Sequence, residues 1–105
     1  MMQVKTEVQN RTLTICIEGE IDHHTAHSLM QRIAQEMERS TPMTVILNCA
    51  GVTFMDSSGI AVALHTKKCM KLLGGNMRIE QCPPQAEKVF RAAGIEPQTR
   101  KESNK

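Results

Sequence analysis

Phe54-Met55-Asp56-Ser57-Ser58-Gly59 follows the apolar run Val45-Ile46-Leu47 and opens the best helical pattern in the chain. A strand therefore hands over to a helix at a point that concentrates two hydroxyls and one carboxylate. The first turn of a helix carries backbone N–H groups without intrahelical partners and the positive end of the helix dipole. A phosphoryl group is stabilised in such a place. The junction predicts a phosphorylatable serine and points to a signalling module instead of an enzyme.

Working outward, a helix is expected from about Ser58 to Leu73, with Ile60, Ala63, Leu64, Met70 and Leu73 as its buried stripe. Lys67 falls on that stripe, its stem packed and its ammonium at the surface. Gly74-Gly75 stops the helix. Met77 and Ile79 alternate with Arg78 and Glu80 in the next strand. Pro83-Pro84 leads a third helix with Ala86, Val89, Phe90 and Ala93 on one face. Gly94 ends it, and Ile95 starts a short final strand.

Toward the N-terminus, Met43 to Leu47 is a short β-rich run without alternation, the pattern of a central strand covered on both faces. Before it, Ala26, Leu29, Met30, Ile33 and Met37 recur at helical spacing. Gln31, Arg32, Gln35, Glu36 and Glu38 lie on the other side, and Ser40-Thr41-Pro42 breaks the helix. Asp22-His23-His24-Thr25 signals its start, with Asp22 as cap. Val4, Thr6 and Val8, then Leu13, Ile15 and Ile17, alternate with polar residues around the turn Asn10-Arg11, a hairpin whose second strand ends at Gly19. The fold class is α/β: one domain over 1–97 with a mixed, mostly parallel sheet, an N-terminal β-hairpin and helices packed on it, in the order β-β-α-β-α-β-α-β. Residues 98–105 are polar and basic and are expected to be a disordered tail.

Composition narrows the function. The 105 residues carry a net charge of +2, 40% hydrophobic residues, no Trp or Tyr and two Phe. So few aromatics argue against a base-stacking nucleic-acid surface. The eight Met, those at 30, 37, 55 and 70 foremost, fill core gaps that aromatics would otherwise occupy. Cys16, Cys49, Cys69 and Cys82 form no C-x-x-C pair, and with four scattered His they make no zinc pattern. No signal peptide or apolar run of membrane length is present. The expectation is a cytoplasmic chain with reduced thiols and no membrane or nucleic-acid partner.

Gly19-Glu20-Ile21-Asp22-His23-His24-Thr25-Ala26 and Phe54-Met55-Asp56-Ser57-Ser58-Gly59-Ile60 together resemble the STAS domain of bacterial anti-sigma-factor antagonists, most nearly the sporulation type. The resemblance covers about residues 2 to 95. It implies that Ser57, first serine of the Asp-Ser-Ser-Gly string, accepts phosphate. It implies as partners an anti-sigma factor that is itself a GHKL-type serine kinase, and a PP2C-like serine phosphatase. ATP and Mg²⁺ would be carried by the kinase, with no cofactor or metal bound by this chain. Unphosphorylated antagonist would bind the anti-sigma factor and release the sigma factor. The implied docking surface comprises Glu20, Asp22, Asp56, Ser57, Ser58, Gly59 and Ile60. A stressosome-like scaffold, or a small-anion or nucleotide-binding regulator, is the alternative within the same family. The chain departs from the family in lacking an evident C-terminal helix after Pro97, in Lys67 at a typically apolar or aromatic position, and in its mild basic charge.

Individual residues carry plainer readings as well. Asp56 either polarises the Ser57 hydroxyl or caps the helix, and both roles are compatible. Ser58 is the rival acceptor, but a first-turn hydroxyl ordinarily bonds to the backbone. Gly59 permits close approach by a partner or a neighbouring strand. His23 and His24, adjacent at a helix start, do not face a common site. A hydrolase reading of Ser57 fails on the missing first glycine of G-x-S-x-G.

Overall fold

The computed structural model describes residues 2–98. The expected order is present: β1 (Gln3–Gln9), β2 (Thr12–Ile21), α1 (Ala26–Ser40), β3 (Thr44–Met55), α2 (Ser58–Leu72), β4 (Asn76–Glu80) and α3 (Pro84–Ala92). The sheet order is β1-β2-β3-β4, with β1 antiparallel to β2 and the other two pairings parallel. The hairpin turns at Asn10 and Arg11, both with positive φ, as a two-residue turn that matches strand twist requires. Arg11 also sets the start of β3, since its carbonyl accepts the Met43 N–H at 2.8 Å.

The strands differ from expectation in length. β2 does not end at Gly19, and β3 does not end at Leu47. Gly19 takes φ +101° beside two register shifts, and the β2–β3 pairing resumes as Glu20↔Phe54 and Ile21↔Met55. Glycine makes that conformation accessible, so a bulge replaces the stop. The pair outruns both neighbours: β1 pairs with β2 only up to Glu18 and β4 with β3 only up to Asn48. Its far end is a two-stranded ribbon that holds residues 20–22 beside 54–56.

β3 is central but not covered on both faces. Val45, Leu47 and Cys49 are buried, while Ile46 and Asn48 between them are half-buried. The buried side joins Leu13, Ile15 and Ile17 of β2 to residues of all three helices in one cluster. The opposite side carries Lys5, Cys16, Asn48 and Glu80 in one row across the four strands. Met37, Met55 and Met70 lie inside the cluster and Met30 packs against it, as the shortage of aromatics suggests.

α2 is rotated from its expected setting. Its buried residues are Gly59, Val62, Ala63, Thr66 and Met70, whereas Leu64, Lys67 and Leu73 are exposed and Ile60 is half-buried. Apolar residues occur around most of this helix, so periodicity alone does not select the face that packs. In α1, Glu36 is buried instead of lying on the polar side, drawn in by Arg32, whose Nε donates to it at 3.3 Å. Gly74 (φ +81°) ends α2, and the Gly75 N–H donates to the Met70 carbonyl at 2.8 Å, a left-handed helix stop. The strand expected from Ile95 shrinks to a single parallel bridge, Glu80↔Gln98. The remainder of the expected polar tail lies outside the described residues. Among the described residues no helix is long and apolar enough to cross a membrane.

Candidate functional site

Every residue of the expected site lies at the far end of the β2–β3 ribbon or in the turns that leave it. The Asp56 N–H donates to the Ile21 carbonyl at 3.0 Å, which locks the two exits together. The Asp56 carboxylate then accepts the Ser58 N–H at 2.8 Å. This satisfies a first-turn donor and makes Asp56 the capping side chain.

Ser57 occupies the formal N-cap position, yet its side chain makes no capping hydrogen bond. It is exposed, and among the described residues its hydroxyl has no protein partner. Because the neighbouring aspartate caps the helix, Ser57 is left free at the positive end of α2. Ser58 departs from expectation: its half-buried hydroxyl bonds to no backbone group among the described residues. Gly59 is buried and not displayed. A Cβ there would fall on the Met55 side chain, so the close approach is made by this chain's own core. Ile60 is half-buried in the same first turn of α2.

Across the ribbon, Asp22 and Thr25 cap each other. The Asp22 carboxylate accepts the Thr25 N–H at 3.0 Å and the His24 N–H at 2.9 Å. The Thr25 hydroxyl accepts the Asp22 N–H at 2.9 Å and donates to the Glu20 carbonyl at 2.9 Å. These bonds hold the Asp22 carboxyl below its ordinary pKa, the Thr25 amide contributing most. Asp22 thus starts the turn that leads into α1, as its sequence position suggests, while the formal N-cap is Thr25. His23 and His24 are exposed, and their rings meet at 3.9 Å between centroids, tilted by 39°, because they sit in a turn where neighbouring side chains can meet. No group of three or more His, Cys, Asp or Glu among the described residues is placed to hold a metal ion.

Two contributors were not legible in the sequence. Phe54 points outward at the ribbon's end, 44% exposed. Gln85 reaches from α3 to hold the Met55 backbone through two hydrogen bonds of 2.9 Å. Its amide sits on the polar side of a short helix, and no motif announces it.

The sequence and the fold have known relatives. An anti-sigma F factor antagonist of Lysinibacillus sphaericus is 31% identical over 90 residues, 86% of this chain and 77% of the relative. The solved structure of the anti-sigma factor antagonist SpoIIAA in its unphosphorylated form superposes with a TM-score of 0.82 at 26% identity, over 96% of this chain and 89% of that one. SpoIIAA in its phosphorylated form superposes with a TM-score of 0.74, over 97% and 93% of the two chains. The STAS-domain family pattern matches residues 3–102, nearly the whole length, and the chain belongs to the STAS-domain family.

Proposed function

We propose that this chain is an anti-sigma-factor antagonist whose binding is switched by phosphate on Ser57. In the unphosphorylated state it docks on an anti-sigma factor through the ribbon end, with Glu20, Asp22, Asp56, Ser57, Ser58 and Ile60 facing the partner, and a sigma factor is released. The partner is a GHKL-type serine kinase that carries ATP and Mg²⁺. It transfers the γ-phosphoryl group to the Ser57 oxygen, ADP departs, and the hydroxyl proton is lost. A PP2C-like serine phosphatase hydrolyses the ester and restores docking. The names of the relatives support the antagonist role. The observation that carries the switch is the free, exposed Ser57 hydroxyl at the N-terminus of α2, relieved of capping by Asp56.

Energetics favour a switch that acts on the partner instead of the fold. Phosphate adds roughly 1.5 to 2 negative charges. At an exposed helix N-terminus these are locally favourable by about 0.3 to 1 kcal/mol. At a docked interface the same dianion must be desolvated near Asp56 and Asp22. Leaving a charge buried and unpaired costs several kcal/mol, and about 2.7 kcal/mol already weakens binding a hundredfold.

The test mixes the chain with anti-sigma kinases and Mg-ATP and maps the modified residue by mass spectrometry. Phosphate is expected on Ser57, and Ser57→Ala is expected to fold, resist modification and bind constitutively. Phosphate on Ser58 alone, or tight binding by Ser57→Asp, overturns the proposal.

A further inference from the structure

We infer that β1 is a self-complementary edge on which a second copy of this chain pairs antiparallel, joining two four-stranded sheets into one. The inference is independent of Ser57 and of the antagonist reading. It rests on the register of β1 in its own sheet and on the order of its side chains.

β1 stands at one edge of the sheet. Edge strands are ordinarily blunted by short length, proline or a bulge. β1 is 7 residues long, has no proline and pairs with β2 from Gln3↔Glu18 to Gln9↔Thr12 without a register shift. The two-residue turn at Asn10 and Arg11 makes Gln9 and Thr12 a pair that exchanges both backbone hydrogen bonds. Such pairs alternate along an antiparallel ladder, so Gln3, Lys5, Glu7 and Gln9 turn their N–H and C=O groups toward β2. Val4, Thr6 and Val8 turn theirs outward. Among the described residues, no backbone hydrogen bond outside the β1–β2 ladder involves them. Each of the three offers a donor and an acceptor to an added strand.

Any extended peptide could bond those groups; the side chains select a second copy. Gln3-Val4-Lys5-Thr6-Glu7-Val8-Gln9 is its own complement about Thr6. An antiparallel copy with Thr6 opposite Thr6 sets Val4 against Val8, Lys5 against Glu7 and Gln3 against Gln9, each pair occurring twice. The outward groups of one strand then face the outward groups of the other. A slip of one residue sets outward groups against inward ones. A slip of two sets Lys5 on Lys5 or Glu7 on Glu7, so one register is complementary in both backbone and charge.

These side chains lack such partners at home. In its own sheet Lys5 lies opposite Cys16 and Glu7 opposite Thr14, and among the described residues neither charge makes an ion pair. Across the seam, Lys5 and Glu7 meet in the closer, non-hydrogen-bonded kind of pair. Val8, 51% exposed beside the hairpin turn, gains cover from the half-buried Val4 of the other copy. β1 runs against β2, and the two copies of β1 run against each other. The two Ser57-bearing ribbon ends therefore point in opposite directions along the joined sheet.

The test follows the mass of the full chain by sedimentation equilibrium over a concentration series, with amide exchange measured at both ends of the series. Expected is a concentration-dependent dimer in which the Val4, Thr6 and Val8 amides slow as it forms, while those of Lys5 and Glu7 are protected throughout. Lys5→Glu and Glu7→Lys each set like charges opposite one another at both seam positions, and each is expected to weaken the dimer about tenfold or more. Mixing the two variants restores opposite charges at both positions, so a heterodimer of parental affinity is expected. Should either variant fold poorly, amide exchange on the unmutated chain decides, and unchanged exchange at Val4, Thr6 and Val8 refutes the pairing. A chain that stays monomeric at about 1 mM, a dimer indifferent to both charge reversals, or folded variants that mixing does not rescue overturns the inference.

Discussion

Gln85 holds Met55 by both ends of its side-chain amide: its Oε1 accepts the Met55 N–H and its Nε2 donates to the Met55 carbonyl, each at 2.9 Å. The two residues are 30 positions apart. The grip falls on the last residue of β3, where the strand has passed the end of β4 and has lost that neighbour's ladder bonds. α3 thereby completes the hydrogen bonding of the strand that presents Asp56 and Ser57. Gln85→Leu keeps the bulk and removes both bonds. Leaving partly buried backbone groups unpaired costs about 1 to 3 kcal/mol. Urea unfolding is expected to show that loss, and amide exchange at Met55 is expected to quicken. Unchanged exchange there would mean that the grip does not order the strand end.

Gly59 fixes the other side of Met55. Alanine in an exposed helix interior is ordinarily better than glycine by about 1 kcal/mol. Here a methyl group meets the fully buried Met55 side chain. Overpacking of this kind costs about 1 to 3 kcal/mol, so Gly59→Ala is expected to destabilise the protein against its helix propensity. In a Met55→Ala background the penalty should shrink or reverse, and a double-mutant cycle measures the coupling. Additive effects would count against direct contact.

The setting of α2 is open to an equally direct check. Met70 is fully buried and Leu73 is 62% exposed. Met70→Ala is expected to cost about 2 to 5 kcal/mol. Leu73→Ala is expected to stay within about 0.5 kcal/mol of the parent. Comparable losses at both positions by chemical denaturation would refute the observed rotation of the helix.

Asp22 supplies a pH dependence of known sign. Its carboxyl is held below the ordinary value of 3.8 by the Thr25 and His24 amides and the Thr25 hydroxyl. A group with a depressed folded-state pKa contributes stability above its unfolded pKa, and the contribution disappears as pH falls through the folded value. Asp22→Asn keeps an acceptor oxygen and removes the charge. It is expected to be less stable than the parent at neutral pH, with the difference closing below pH 3.8. A difference that stays constant across this range would remove the charge from the explanation.

Local chemistry made much of this protein legible in advance. The Asn10-Arg11 turn, the Gly74-Gly75 stop and the Pro83-Pro84 helix lead are short-range signals, and each stands where its residues predict. The Asp-Ser-Ser-Gly junction and the Asp22 turn were legible for the same reason, since capping and turn formation involve residues only a few positions apart. Gly19 misled because a glycine accommodates a bulge as readily as a stop, and only the continued pairing of Glu20 and Ile21 with β3 distinguishes them.

From sequence alone, the order of the elements and the position of the serine-bearing junction were determined, because both follow from periodicity and turn chemistry within single segments. Only the tertiary structure decided which side of α2 packs, how far the β2–β3 ribbon runs, and that Gln85 secures its end. Each of these depends on contacts between segments distant along the chain, where several apolar or polar residues are equally eligible until close packing selects among them.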